Sequence, residues 1–134
     1  MAKIYFDAAS NGNPGMSTYG IAIVDNDVRE TYSGFLGEMD NHSAEWEAML
    51  LALDKAHSLN IRNALLHTDS KLIEEAVERE FVRNPVFQNY LKQYFIKAQL
   101  FDLSIVKWVP RAQNKEANHL AQNALFQLKN NKSK

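Results

Sequence analysis

Three carboxylates far apart in the chain have the most chemistry to offer: Asp7 in "FDAASNGNPG", Glu45 in "NHSAEWEAMLLAL" and Asp69 in "HTDS". Each also has an ordinary explanation. An aspartate before Gly-Asn-Pro-Gly initiates turns, a glutamate in a first helical turn complements the macrodipole, and an aspartate at a strand-to-helix junction caps the helix. Glu45 fits its ordinary role least well. Steps of three and four residues lead from it to Met49, Ala52 and Ala56, so it lies on or beside an apolar stripe, where a charge needs a partner. Together, acids at two strand ends and one helix start can converge at one edge of a sheet. Hard oxygen ligands of this kind suit Mg²⁺ or Mn²⁺, and a pair of such ions drives phosphodiester hydrolysis.

The elements that must position these acids follow from periodicity. Residues 3–9 alternate as a strand and end in a turn at Asn11-Gly12-Asn13-Pro14-Gly15. Residues 18–25 and 28–36 are β-branched and aromatic, and the Asn26-Asp27 link between them fits a tight hairpin. Helical period begins at 43–59, followed by a short buried strand at 63–68 and a helix from Ser70 to Glu80. Asn84-Pro85 breaks the chain before a helix over 86–100; a strand at 103–109 and a helix from Asn114 to about Leu128 complete the order. The order β-β-β-α-β-α-α-β-α predicts an α/β fold, a mixed sheet with helices on its faces.

The 134 residues fit one domain, 1–134, with a frayed, solvated end carrying Lys129, Lys132 and Lys134. Without cysteine, neither a disulfide framework nor a thiolate metal site can form. The N-terminal apolar run is too short for a signal peptide, and no stretch is long enough to span a membrane. A cytoplasmic monomer is expected. A net charge of −1 argues against an architectural nucleic-acid binder, though not against a small basic groove.

With the "WVPRAQNKEANHLA" segment, the four motifs resemble, in order and rough spacing, ribonuclease H type 1 domains over nearly the whole chain. The resemblance implies the ribonuclease H-like fold, a five-stranded mixed sheet with helices on both faces. It also implies endonucleolytic cleavage of the RNA strand of RNA–DNA hybrids, with two Mg²⁺ ions when substrate is bound and Mn²⁺ as a substitute. By motif, Asp7, Glu45 and Asp69 look like three of the four metal-site carboxylates, and Asn118 stands at the fourth position. Ser10, Asn11, Asn13, Asn41, His42 and Lys71 match residues that recognise RNA through its 2′-hydroxyls, with His42 where asparagine is usual. Arg111 is assigned to the substrate backbone. For Trp108, Arg111 and Lys115, substrate contact and a plain core tryptophan with two solvated cations remain equal alternatives. The connection before the last helix is short and lacks the histidine that some relatives carry there, as in a shorter-looped branch of the family.

An amide at 118 can still offer an oxygen to Mg²⁺ but brings no charge, so the weaker-held ion should suffer most. Glu116 cannot replace it, being roughly 200° around the helix, and His119 points roughly 100° away. Two other classes of function compete. A catalytically weak or inactive hybrid-binding module would explain Asn118, His42 and the low positive charge. A 3′–5′ exonuclease of the same superfold would carry Asp-x-Glu on the first strand, where this chain has Asp7-Ala8-Ala9.

Overall fold

A computed structural model describes residues 1–132. The strands are β1 (Ala2–Gly12), β2 (Gly15–Asp25), β3 (Val28–Met39), β4 (Asn63–Thr68) and β5 (Leu103–Trp108). The helices are α1 (Asn41–Ser58), α2 (Lys71–Arg79), α3 (Pro85–Ala98) and α4 (Lys115–Lys132), with a 3₁₀ turn at Arg111–Gln113. One five-stranded sheet has the order β3-β2-β1-β4-β5. Its β1–β2 and β2–β3 pairs are antiparallel, and its β1–β4 and β4–β5 pairs are parallel. The expected α/β class, element order and mixed sheet are all observed. Among the described residues no helix is long and apolar enough to cross a membrane.

Alternation along β1 assigns the two faces of the sheet. Ile4 and Phe6 join Ile21 and Ile23 of β2 in a core with Trp46, Met49 and Leu53 of α1, and Leu91 and Tyr94 of α3. Burying each large apolar side chain there contributes roughly 1.5–3 kcal/mol. Ala9, of opposite parity, packs on the other face against Ala121 and Leu125 of α4. Helices therefore cover both faces.

Boundaries differ from the periodicity where hydrogen bonds outweigh propensity. β1 continues through the expected turn, because Ser10, Asn11 and Gly12 pair with Ser17, Met16 and Gly15. That leaves Asn13 and Pro14, joined by a cis peptide bond, as the connection. A Cβ on Gly15 would lie 2.3 Å from the Asn11 carbonyl oxygen, so the tight closure requires glycine. Helix α1 starts two residues earlier than its apolar stripe, because Asp40 caps it and accepts from the Ser43 N–H at 3.2 Å. Helix α4 passes Leu128 to Lys132, so Lys129 and Lys132 lie within it rather than in a tail. The remainder of the expected frayed end, Ser133 and Lys134, lies outside the described residues.

Candidate active site

Parallel β1 and β4 bring two of the acids level. The strands pair from Ala2 and Ala64 to Tyr5 and His67, and Asp7 and Asp69 each follow two residues after the last pair. The crevice beyond the carboxyl ends of parallel strands is where α/β sheets place ligands. Ser70, rather than Asp69, caps α2, its hydroxyl accepting from the Ile73 N–H at 3.3 Å. The Asp69 carboxylate is thus free of the capping role. The Trp108 indole N–H donates to the Asp69 carbonyl at 3.2 Å, and the Val109 N–H donates to Thr68 at 2.8 Å. These bonds hold the β4 exit against the end of β5.

Glu45 comes from α1. Since that helix begins at Asn41, Glu45 lies in the second turn and not the first. Its side chain is 22% exposed, and the closest basic group is the His42 imidazole, Nδ1 to Oε1 3.9 Å. No lysine or arginine forms an ion pair with it among the described residues. Burial pushes its carboxyl up to about 7; a hydrogen bond with the Ser70 side chain opposes this, repulsion from Asp7 and Asp69 adds to it, and Arg111 draws it back.

Asp7 is only 7% exposed. Burial raises its carboxyl to about 6; the Asn118 amide and the Ala8 N–H oppose this, while Asp69 adds repulsion. The Asn118 side-chain N–H donates to Asp7 Oδ2 at 2.9 Å, and the Ala8 N–H donates to Oδ1 at 2.9 Å. The amide nitrogen, not the oxygen expected as a ligand atom, is therefore directed at Asp7. Gly20 makes this approach possible. It pairs with Asp7 across the β1–β2 ladder, and a Cβ there would lie 2.2 Å from the Ala117 carbonyl oxygen. Only glycine lets the α4 backbone settle so close to the sheet.

Asp7, Glu45 and Asp69 line one open cleft of about 220 Å³, together with Ser10, Asn41, Arg111 and Gln122. Among the described residues no three acidic or imidazole groups close around a single point. The donors are nonetheless hard oxygens, and two of them are carboxylates raised by burial and mutual repulsion. That chemistry fits hard divalent cations, which keep waters and take further oxygens from a phosphate.

The recognition residues divide. Ser10, Asn41 and Arg111 reach the cleft wall; the Ser10 hydroxyl also lies 2.8 Å from that of Ser17. Asn11 is exposed on the hairpin. Asn13 spends its side-chain oxygen on the Asn41 N–H at 3.0 Å, tying the hairpin to the start of α1. His42 is exposed and edge-on to Phe87, with ring centroids 5.9 Å apart. Lys71 lies over the Trp108 ring, its Nζ 4.4 Å from the centroid, so that half-buried tryptophan carries a cation instead of simply filling the core.

Sequence reasoning passed over Ser70, Gln122 and Asn114. Gln122 was accessible from the pattern, one helical step of four beyond Asn118. Asn114 was not: it is 1% exposed and donates to the Phe6 carbonyl at 2.9 Å, a partner 108 positions away.

The reverse transcriptase-like family matches residues 5–124. The crystal structure of RNase H1 from Halobacterium salinarum superposes with a TM-score of 0.89 at 30% identity, covering 94% of this chain and 98% of that one. The chain belongs to the ribonuclease H family. Among other ribonuclease H relatives, the Halobacterium ribonuclease HI sequence is 32% identical over 127 residues, of which this chain spans 62%. EbsB of Enterococcus faecalis, a provisional hydrolase by name, is 38% identical over 98% of this chain and 99% of its own length. LC11-RNase H1, solved with an RNA/DNA hybrid, has the same fold, with a TM-score of 0.88 at 23% identity over 96% of this chain and 99% of that one.

Proposed function

We propose that this ribonuclease H domain hydrolyses the RNA strand of RNA–DNA hybrids endonucleolytically, using two divalent ions held by Asp7, Glu45 and Asp69. Mg²⁺ is the intended ion and Mn²⁺ a substitute. The observation that carries this reading is the convergence of three carboxylates in one cleft at the ends of β1 and β4, two of them held at raised pKa. Hydrolase and ribonuclease H relatives support the reaction class, and the hybrid complex of a protein of this fold supports the substrate. Bound divalent ions would supply water activation and charge neutralisation at the leaving 3′ oxygen.

The chain's own residues do the rest. Asp7 and Asp69 present carboxylates from adjacent strand ends, and Ser70 steadies Glu45. Asn118, at the fourth metal-site position, orients Asp7 by donating to it. Ser10 and Asn41 place polar groups on the wall where a ribose 2′-hydroxyl would lie, and Arg111 offsets the negative potential felt by an approaching phosphate. A hybrid-binding module without cleavage has less support. Three acids lining a groove repel a polyanion, so they weaken binding unless cations occupy the groove.

The test is cleavage of a uniform end-labelled RNA–DNA hybrid in Mg²⁺, Mn²⁺ or chelator, with Asp7→Asn prepared identically. Internal RNA cuts that need metal and disappear with Asp7→Asn are expected. Equal cleavage by both preparations, or binding of hybrid without cleavage in either metal, would overturn the proposal.

A further inference from the structure

Beside the carboxylate cleft, along the first turns of α4, lies a second cleft of about 550 Å³ lined by Arg111, Ala112, Lys115, Asn118, His119 and Gln122. Arg111 and Gln122 line both clefts, so the two adjoin. The lining of the second has two permanent cations, an imidazole and two amides, with no acid. Glu116, the acid nearest in sequence, is held by its ion pair with Arg29 and lines a neighbouring hollow that Lys115 also borders. Neither the Lys115 nor the His119 side chain makes a hydrogen bond or ion pair within the described residues, unlike the side chains of Arg29, Arg62 and Lys97, which each hold a carboxylate. In a chain of net charge −1, unpartnered cations gathered in a cleft that adjoins an acidic one mark where an anion is to be held.

Resting on the proposed hybrid cleavage, we infer that this second cleft is a phosphate subsite, taking a backbone phosphodiester next to the scissile one. Lys115 and His119 donate to its oxygens, and Arg111 spans the two phosphates. Together with Arg111 of the connection before α4, these groups draw the strand toward the acids that would otherwise repel it. Because phosphate contacts carry no base information, the contribution is uniform across sequences and depends on salt.

Hybrid binding is measured by fluorescence anisotropy in chelator over a range of salt for native chain, Lys115→Gln, Lys115→Arg and Lys115→Gln/His119→Gln, with thermal melts confirming folding. Cleavage kinetics in Mg²⁺ run in parallel. The expected result is weaker binding by Lys115→Gln, about fivefold to tenfold, with the slope of log affinity against log salt shallower by about 0.9. Lys115→Arg should restore binding, the double variant should bind more weakly still, and KM should rise more than kcat falls. Unchanged affinity and slope in the glutamine variants overturn the subsite, and if native chain still cleaves hybrid, the nuclease reading stands. Native chain that neither binds nor cleaves hybrid overturns both. Binding lost by Lys115→Gln without any change in salt slope also overturns the subsite, because it rules out a phosphate contact.

Discussion

Replacing Asn118 with aspartate should strengthen metal binding and weaken the metal-free protein. The native amide donates to Asp7 Oδ2 at 2.9 Å, so the variant exchanges a donor for a second negative charge at that distance. Two charges about 4 Å apart repel by roughly 4 kcal/mol at an effective dielectric of 20. Protonation caps that cost. Asp7 already titrates near 6, so keeping it neutral at pH 8 costs roughly 2.7 kcal/mol, and a protonated Asp7 can itself donate to the new carboxylate. Metal-free Asn118→Asp should therefore lose roughly 2–3 kcal/mol at pH 8 and little at pH 5. For 134 residues that is a drop in Tm of about 10 °C at the higher pH. Added Mg²⁺ should raise the variant's Tm at pH 8 more than the native protein's, and the Mg²⁺ concentration at half-maximal cleavage should fall. The assay is a set of melts in chelator at both pH values, repeated over a Mg²⁺ titration. A variant as stable as native chain at pH 8 without metal, or one with no greater response to Mg²⁺, would refute the assignment of Asn118 to the fourth metal position.

The native protein has its own pH dependence. Asp7 and Glu45 are raised by folding to about 6 and 7, so they oppose the folded state above those values and the penalty is relieved as pH falls through them. Metal-free chain should gain on the order of 3 kcal/mol between pH 8 and pH 5 by urea unfolding, and saturating Mg²⁺ should flatten the profile; stability rising with pH in chelator would contradict this. Gly20→Ala should cost roughly 1–3 kcal/mol, because its Cβ meets the backbone at Ala117 and Ala121 and the Leu120 Cβ, none of which can turn aside. Cleavage should fall further than stability, measured as kcat at a temperature where the variant is folded. Asn114→Ala leaves the Phe6 carbonyl without its donor and should cost roughly 1–3 kcal/mol by denaturant titration.

Local information in the chain was enough for the frame of the site. Asn26-Asp27 announced the β2–β3 hairpin, and Asn26 does adopt the left-handed conformation that such turns require, with φ 56°. Glu45 was identifiable because an acid on an apolar stripe is costly, and that same cost appears as its raised pKa. What could not be read depends on a choice between chemically equivalent neighbours or on distant partners. Asp69 and Ser70 are both good caps, and only backbone geometry decides that Ser70 takes the role. Asn13 matched a recognition residue, but its side-chain oxygen is committed to the Asn41 N–H once the hairpin folds against α1. The groove of Lys115 and His119 exists because of where α4 sits, and periodicity assigns a helix a face without assigning it a position along the sheet.

That position is fixed by polar pins rather than by apolar packing. Ala9, Ala121 and Leu125 are small or few, and such a contact would tolerate sliding. Asn114 donates to Phe6, Asn118 to Asp7, and the Thr18 hydroxyl to the Ala121 carbonyl at 2.7 Å, so α4 is held at three successive levels against β1 and β2. A slip of one helical turn, about 5.4 Å, would break all three bonds together and carry Asn118 out of reach of Asp7. Charge at the fourth corner and the seating of the helix are thus one problem. An amide there donates to Asp7 and adds a pin, whereas a carboxylate repels Asp7 until a cation lies between them. In the proposed metal site, the amide would favour a cleft already assembled before metal arrives, at the expense of the charge that would hold a second ion.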